Sequence, residues 1–230
     1  MVSVTAHLPA AVLWDMDGTM VDTEPLWIGA EKALVEQHGG AWTDEDSLAL
    51  VGSDLLAAGA YIRDRGGLPL TPEQVVQHLL GEVLRGVREG AVGWQPGVRE
   101  LLAELNGLGV PCALVTMSYR VLAEAVVAQL PEATFAAVVT GDEVTHGKPH
   151  PAPYLSAAAA LGVDPSDCVV IEDSPPGSES GVAAGAKVVS VPNAVAANPV
   201  PGMVVIDSLD GVAARDLLTL FDEPRLDPVH

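Results

Sequence analysis

The 230-residue sequence is poor in positive charge, with 11 Lys and Arg against 31 Asp and Glu and a formal net charge of -20 at pH 7. Because the backbones of DNA and RNA are also anionic, and no stripe of Lys and Arg offsets the acidity locally, nucleic acid is not expected as a partner. This charge would equally repel a phosphorylated small molecule, so a site for one would need local cations.

Long apolar runs, an N-terminal basic segment and paired cysteines are also missing. No apolar run approaches the ~18 residues of a membrane helix, and the segment Met1 to Ala10 has neither Lys nor Arg and leaves no room for a signal peptide. Cys112 and Cys168 lie in or beside apolar runs, with no second Cys or His at metal-ligand spacing, so core packing is expected. These absences predict a soluble, cytoplasmic protein that needs no membrane and no disulfide.

What the sequence does contain is an alternation of short apolar runs with helical patterns. The runs, which are typical of strands buried on both faces, are Ala11 to Trp14, Cys112 to Val115, Ala137 to Val139, Cys168 to Ile171, Lys187 to Val191 and Met203 to Ile206. Between them, helices are predicted after Pro96-Gly97, from a Ser118 cap to Leu130, and from Pro151 to Leu161. This alternation predicts an α/β fold with a Rossmann-like, doubly wound parallel sheet.

One region interrupts the alternation. Residues 21–93 show helical patterns at Leu26 to Gln37 and Pro72 to Arg88 but no convincing buried strand. We therefore predict a core formed by residues 1–20 and 94–230 and an inserted helical domain formed by 21–93, with the core sheet resuming near Trp94. Gly90 and Gly93 would suit a hinge, and residues 222–230 are predicted to form a loose tail.

The first chemical motif, Asp15-Met16-Asp17-Gly18-Thr19, directly follows the first predicted strand. Carboxylates two residues apart on an extended segment point the same way, and Gly18 allows a sharp turn behind them. A polar turn at a strand end is the alternative. A chance match to Asp-x-Asp-Gly-Thr in a chain of this length has odds on the order of one in a thousand, so the motif favours chemistry.

Two further motifs offer donors to an anion. The strand that ends at Val115 is followed by Thr116-Met117-Ser118, where the Thr116 hydroxyl and helix-end amides would contact phosphoryl oxygens; a helix cap is the alternative. Lys148 lies in a loop held by Gly147 and Pro149. Lysines are ordinarily exposed and solvated, but a local cation is what an acidic phosphate-binding chain requires.

The fourth motif is the pair Glu172 and Asp173, at the end of a strand predicted to be buried on both faces. Burying two acids without a counter-ion is costly. A bound Mg²⁺, which prefers one or two carboxylates together with waters and substrate oxygens, would remove that cost, and solvent exposure at the strand end is the alternative. Strand ends are also where open α/β sheets place their sites.

Together, in this order, the four motifs resemble those of the haloacid dehalogenase superfamily, from about Val12 to Val191. The helical insertion is similar to the cap of the subfamily with an α-helical cap. The segment Thr19 to Trp27 resembles sugar-phosphate and phosphoglycolate phosphatases and β-phosphoglucomutase relatives. The resemblance implies a magnesium-dependent phosphatase that acts on a small, sugar-type phosphate monoester through an aspartyl phosphate.

The same resemblance implies a role for each matching residue. Asp15 would be the nucleophile and a metal ligand. Asp17 would be the general acid and base and would bind the metal through its main-chain carbonyl. The phosphoryl group would be held by Thr116, Met117 and Lys148. Asp173 would complete the Mg²⁺ site, with Glu172 nearby in the same metal set.

Differences between this sequence and related families rank the possible activities. Dehalogenases of the superfamily lack the second aspartate and the metal, so Asp17 and Asp173 favour phosphoryl chemistry. A β-phosphoglucomutase has His where this chain has Trp27 and a cap Arg where it has Leu55, so phosphoryl transfer of the mutase type is the second hypothesis. A non-catalytic phosphate-binding protein is the third hypothesis, and it is disfavoured because all four motifs are intact.

The substrate itself is not predicted. Candidate contacts are Glu24, Trp27, Ser53, Asp54, Ser118, Tyr119 and Arg120, for which structural roles are equally open. His146 and His150 flank Lys148 and would either tune it or form loop surface. The expected partner is a small phosphorylated molecule, with no nucleic acid and no membrane, and a monomer or weak homodimer is expected.

Overall fold

The structure, a computed structural model, describes residues 8–222. A parallel sheet of six strands forms its centre, in the order β5-β4-β1-β6-β7-β8. These strands are β1 (Ala11–Trp14), β4 (Cys112–Val115), β5 (Ala137–Val139), β6 (Cys168–Glu172), β7 (Lys187–Ser190) and β8 (Met203–Val205). The predicted fold class is confirmed; three strands have their predicted ends and the other three differ by one residue, where strand ends are least defined.

Helices cover both faces of this sheet because its strands are apolar on both sides. In β1, Val12 and Trp14 pack in one cluster with helices α5 (Val98–Gly107) and α6 (Arg120–Val127). Ala11 and Leu13 face the opposite way, into a cluster with α7 (Ala152–Leu161). Successive side chains of a strand point to opposite faces, so one short run contributes to two cores. The remaining core helices are α8 (Pro175–Ala183) and α9 (Asp216–Thr219).

The inserted region contains four helices, α1 (Glu24–Gln37), α2 (Asp44–Leu48), α3 (Leu55–Gly66) and α4 (Pro72–Arg88). The ends of α4 match the prediction: Pro72 occupies the first turn, and Thr71 and Gln74 form a reciprocal capping box. Helix α4 packs against α1 and α3 and also against α6 of the core. The division into domains at residues 20/21 and 93/94 stays a prediction.

A short hairpin lies at the base of the insertion, where the sequence pattern predicts none. Strand β2 (Val21–Asp22) pairs antiparallel with β3 (Gly93–Trp94), outside the main sheet. The expectation that the core sheet resumes near Trp94 was therefore wrong, and residues 21–93 do contain strand residues. Two-residue strands carry too little pattern to be detected, because their partners are supplied by tertiary contacts.

Three smaller features bear on the sequence-based expectations. Both cysteines are buried and free, as predicted. Within residues 8–222, no helix combines the length and apolar character needed to cross a bilayer. Of the predicted tail at 222–230, all but Asp222 lies outside the described residues.

Candidate active site

The four predicted motifs meet at the carboxyl end of the sheet. Strand β1 lies between β4 and β6, so the residues that follow these three strands emerge side by side at the point where the strand order reverses. The Asp15 amide donates to Ile171 O at 3.0 Å, which ties the first motif to the fourth. Asp15, Thr116, Lys148 and Asp173 are all buried.

Lys148 makes an ion pair with the first acid of the site. Its Nζ donates to Asp15 Oδ1 at 2.6 Å, Glu172 Oε1 at 2.5 Å and the Val115 carbonyl at 3.0 Å. Burial alone would lower the pKa of Lys148, but the charges of Asp15 and Glu172 outweigh it and raise the pKa. Lys148 is therefore a fixed cation in the site, and its burial excludes the alternative of a solvated surface lysine.

Asp15 is buried close to other carboxylates. Burial, and next the charge of Glu172, raise the pKa of Asp15 to about 7, although Lys148 lowers it in part. The second oxygen, Oδ2, accepts a hydrogen bond from Thr19 Oγ1 at 2.9 Å. Both oxygens of Asp15 are thus oriented by neighbours that are themselves buried.

Asp17 is surrounded by hydroxyl donors. Its Oδ1 accepts from Thr23 Oγ1 at 2.7 Å, and its Oδ2 accepts from Thr116 Oγ1 at 3.1 Å and Ser118 Oγ at 2.8 Å. The predicted helix cap by Ser118, and the cap alternative for Thr116, were wrong: α6 begins after Tyr119, and its Arg120 amide donates to Asp142 Oδ1 at 3.1 Å instead. Hydroxyls placed just before a helix resemble caps in sequence, and the tertiary position of Asp17 redirects them.

Asp173 has one oxygen with a partner and one without. Oδ1 accepts from Thr19 Oγ1 at 3.1 Å, whereas Oδ2 is buried and has no hydrogen-bond partner among residues 8–222. A Cβ added to Gly18 would lie 2.1 Å from that oxygen, so the backbone at Gly18 makes room for the carboxylate. Burial, followed by the charges of Asp15 and Glu172, raises the pKa of Asp173 well above its ordinary value.

These features suit a divalent cation. One carboxylate oxygen from each of Asp15, Glu172 and Asp173 lies within 4.8 Å of the others, and all three residues are buried. Carboxylate oxygens are the ligands Mg²⁺ prefers, and the unpartnered Asp173 Oδ2 is a buried acceptor that a cation would satisfy. The predicted Mg²⁺ site therefore has a donor set of the right chemistry.

Glu172 differs from the other two acids because its oxygens are already occupied. Oε1 accepts from Lys148 Nζ and from Tyr154 OH at 2.7 Å, and Oε2 accepts from the Asp173 and Ser174 amides and from Ser174 Oγ. Glu172 thus fixes Lys148 and the loop after β6. Within the acidic cluster, Glu172 is therefore the acid whose two oxygens both have protein donors.

Met117 packs against the loop that carries Gly147 and Lys148. Its Sδ accepts from the Lys148 amide at 3.3 Å, and a Cβ on Gly147 would lie 2.8 Å from the same sulfur. Among residues 8–222 the Met117 amide itself has no hydrogen-bond acceptor. That free amide, beside Thr116 in the same cavity, is compatible with the predicted contact to a phosphoryl group.

A cavity of about 830 Å³, including the open part of its mouth, lies between these motifs and the helical insertion. Among the candidate substrate contacts, Glu24, Trp27, Ser53 and Ser118 line it. Burial, and next the charge of Asp17, raise the pKa of Glu24 to about 7.

The other candidates lie elsewhere. Asp54 caps α3 by accepting from the Leu56 and Ala57 amides, each at 3.0 Å. Arg120 is paired with Glu143, and Tyr119 lines a neighbouring groove. His146 and His150 lie against each other along that groove, with ring centroids 4.8 Å apart and ring planes tilted by 38°. Within residues 8–222 neither makes a hydrogen bond to Lys148.

Sequence reasoning missed two residues of the site. Thr23, fully buried, binds Asp17, and it lies in the segment Thr19 to Trp27 that suggested the family. Tyr154, also fully buried, binds Glu172 from helix α7. Nothing local marks Tyr154, since a single tyrosine in an alanine-rich helix has the pattern of ordinary core.

Comparison with known proteins places this site in a family. Residues 12–191 match the family described as haloacid dehalogenase-like hydrolase. Hexitol phosphatase B from Escherichia coli (strain K12) is 33% identical over 217 residues, covering 90% of this chain and 96% of that protein. The bifunctional riboflavin kinase/FMN phosphatase of Arabidopsis thaliana is 34% identical over 188 residues, or 81% of this chain; the chain spans about half of it, 49%.

A solved structure agrees on the fold. The β-phosphoglucomutase from Clostridium difficile superposes with a TM-score of 0.80 at 20% identity, over 94% of this chain and 98% of that one. The predicted superfamily and the predicted class of enzyme, a phosphoric monoester hydrolase, are confirmed. The chain belongs to the haloacid dehalogenase-like hydrolase family.

Proposed function

We propose that this protein is a magnesium-dependent phosphatase that hydrolyses a small, sugar-type phosphate monoester through an aspartyl phosphate on Asp15. The observation that carries the proposal is the contact of Lys148 Nζ with Asp15 Oδ1 at 2.6 Å, beside the unpartnered Asp173 Oδ2. A nucleophile, a fixed cation and an open metal ligand thus occupy one buried site. The hexitol phosphatase relative supports a sugar-type substrate.

In the first half-reaction, an Asp15 carboxylate oxygen attacks phosphorus. The new bond joins Asp15 to the phosphoryl group while the bond from phosphorus to the alcohol oxygen breaks. Asp17 gives its proton to that leaving oxygen. In the second half-reaction Asp17 takes a proton from water, and the water oxygen bonds to phosphorus while the bond from phosphorus to the Asp15 oxygen breaks. Inorganic phosphate leaves and the Asp15 carboxylate is restored.

The phosphoryl group is held while this occurs by Lys148, the Thr116 hydroxyl and the Met117 amide. Asp15, Asp173 and the main-chain carbonyl of Asp17 would hold Mg²⁺, which neutralises charge on the phosphoryl oxygens when bound. Glu172 serves as a positioning residue for Lys148. Two local positive charges would offset the repulsion that a chain of net charge -20 exerts on an anionic substrate.

Hydrolysis is preferred over mutase chemistry because of the charges around the cavity. A mutase must hold a sugar bisphosphate and so needs a cation for the second phosphate group. Among the described residues that line the cavity, Lys148 is the one lysine or arginine, and it is already bound to Asp15 and Glu172. A cytoplasmic monomer or weak homodimer that binds neither nucleic acid nor membranes stays our prediction.

The test uses p-nitrophenyl phosphate with Mg²⁺. We expect turnover that EDTA removes and added Mg²⁺ restores, loss of turnover in Asp15→Asn, and a phosphorylated Asp15 peptide after acid quench. Asp44→Asn, which neutralises an exposed acid, is the matched control and should remain active. Full activity of Asp15→Asn would show that Asp15 is not the nucleophile. With a hexose 1-phosphate and its bisphosphate, quantitative 6-phosphate formation without free phosphate would establish the mutase instead.

A further inference from the structure

The part of the cavity that faces away from the phosphoryl site is formed by the helical insertion. Its walls there are mainly apolar, with Trp27 and Ile28 from α1, Leu55 and Ile62 from α3, and Leu79 from α4. The alcohol part of a monoester bound at Asp15 would occupy this space. Apolar walls with an aromatic ring suit the C–H faces of a carbon chain or ring.

The polar groups on these walls are acidic or hydroxylic. Glu24, Glu31, Ser47 and Ser53 line the cavity, and Lys148 is the one basic side chain among its described lining residues. Because Lys148 is held at the phosphoryl site by Asp15 and Glu172, it is not available to the far end of a substrate. An anionic group there would meet two carboxylates and no counter-charge.

Glu31 is held so that one of its oxygens stays available. Oε2 accepts from Ser47 Oγ at 2.6 Å and from Trp42 Nε1 at 3.2 Å, and the Trp42 Nε1 also lies 2.8 Å from Ser47 Oγ. Oε1 accepts no hydrogen bond from any residue among 8–222. Glu31 is only 6% exposed and lines the cavity, so this oxygen is an acceptor on a buried side chain that lacks a protein donor.

We propose that the leaving group is an uncharged polyol, that Glu31 Oε1 accepts a hydrogen bond from one of its hydroxyls, and that the cavity rejects substrates with a second anionic group. Ser47 and Trp42 are positioning residues for Glu31. This inference rests on the proposed phosphatase function and adds to it the class of alcohol and the residue that recognises it.

The experiment compares three monoesters with matched carbon chains in the presence of Mg²⁺. Sorbitol 6-phosphate carries hydroxyls, hexyl phosphate lacks them, and 6-phosphogluconate has a carboxylate where sorbitol 6-phosphate has its terminal hydroxyl carbon. We expect kcat/KM for sorbitol 6-phosphate to exceed that for hexyl phosphate about tenfold or more. It should exceed that for 6-phosphogluconate roughly 100-fold or more, through like-charge repulsion.

Glu31→Gln tests the residue itself. The amide oxygen would keep the bonds from Ser47 and Trp42, which turns the amide NH₂ toward the position of Oε1 and exchanges an acceptor for a donor. The ratio of kcat/KM for sorbitol 6-phosphate to that for hexyl phosphate should fall about tenfold, and discrimination against 6-phosphogluconate should weaken. Glu36→Gln, an exposed acid on the same helix, should leave both ratios unchanged.

The outcomes separate this inference from the proposed function. Hydrolysis of p-nitrophenyl phosphate with no preference for sorbitol 6-phosphate over its two analogues overturns the inference and leaves the phosphatase intact. An unchanged ratio in folded Glu31→Gln overturns the role of Glu31. Absence of any hydrolysis by the wild-type protein, p-nitrophenyl phosphate included, overturns the phosphatase itself. The comparison of substrates on the wild-type chain requires no variant to fold.

Discussion

Asp173 Oδ2 lies 2.1 Å from the position that a Cβ atom would take on Gly18, so this acid of the proposed metal site occupies space that any other residue at position 18 would fill. Gly18 also has a positive φ of 83°. The glycine of the first motif is therefore required twice, for its backbone conformation and for the approach of a distant side chain. The neighbouring Thr19, which also contacts Asp173, is 154 positions from it in the chain.

Gly18→Ala should lose most Mg²⁺-dependent activity, because Asp173 must move to accommodate the methyl group. Its free energy of unfolding should fall by about 1–2 kcal/mol from the left-handed backbone, with a further loss from the clash. Gly67→Ala is the matched control, since Gly67 has a φ of 65° and open space where an alanine methyl group would lie. Urea unfolding should show a loss of unfolding free energy from the left-handed backbone in both variants. Normal Mg²⁺-dependent turnover by Gly18→Ala would contradict the role of Asp173 in the metal site.

Asp17→Asn should separate the two half-reactions. With p-nitrophenyl phosphate, whose leaving group departs without a proton, we expect release of about one equivalent of nitrophenolate followed by turnover slowed roughly 10²- to 10⁴-fold, since no base activates the water. Rapid-quench kinetics measures this burst. Asp15→Asn should give no burst, and steady turnover by Asp17→Asn at the wild-type rate would remove Asp17 from the mechanism.

Lys148→Met should impair both folding and catalysis. Removing one partner of a buried ion pair leaves Asp15 and Glu172 without their cation, which costs roughly 3–5 kcal/mol of unfolding free energy. The loss of electrostatic stabilisation should lower kcat roughly 10²- to 10³-fold. Lys32→Met, on the exposed face of α1, is the control for loss of one positive charge. Chemical denaturation and steady-state kinetics measure the two effects, and an equal response of both variants would contradict a buried, functional Lys148.

Glu31→Gln should raise stability at neutral and alkaline pH. Burial raises the pKa of Glu31 in the folded protein, and the hydrogen bonds from Ser47 and Trp42 offset this only in part. A carboxyl with a raised folded pKa stabilises the fold below its unfolded pKa, ~4.3, and this contribution is lost as pH rises through the folded pKa. The variant should therefore unfold at a higher temperature than wild type near pH 8, with little difference near pH 4. A lower melting temperature near pH 8 would show that the carboxylate is stabilised there.

The most reliable predictions from sequence concern features specified by neighbouring residues. The strand Cys112–Val115 and the helix Pro72–Arg88 have the predicted ends, because a short apolar run and a capping box act locally. The four motifs could be found for a related reason: each follows a strand, and the ends of parallel strands share one edge of the sheet.

What the sequence could not supply are the contacts across that edge. Lys148 and Asp15 are 133 positions apart, and only the pairing of β1 with its neighbours and the course of the loop after β5 bring them to 2.6 Å. The same holds for Ser118, which has the local pattern of a helix cap and instead binds Asp17, and for Tyr154, which looks like core and binds Glu172.

The sequence by itself determined the order in which the candidate site residues follow the strands: Asp15 and Asp17, then Thr116, then Lys148, then Asp173. Each of them lies in a local pattern that marks a strand end. Tertiary structure alone decided which oxygens are occupied and which are open. Glu172 is saturated with donors, whereas Asp173 Oδ2 and Glu31 Oε1 lack them among residues 8–222. The physical reason is that hydrogen-bond satisfaction depends on which distant groups packing brings within about 3 Å, and no local propensity encodes that distance.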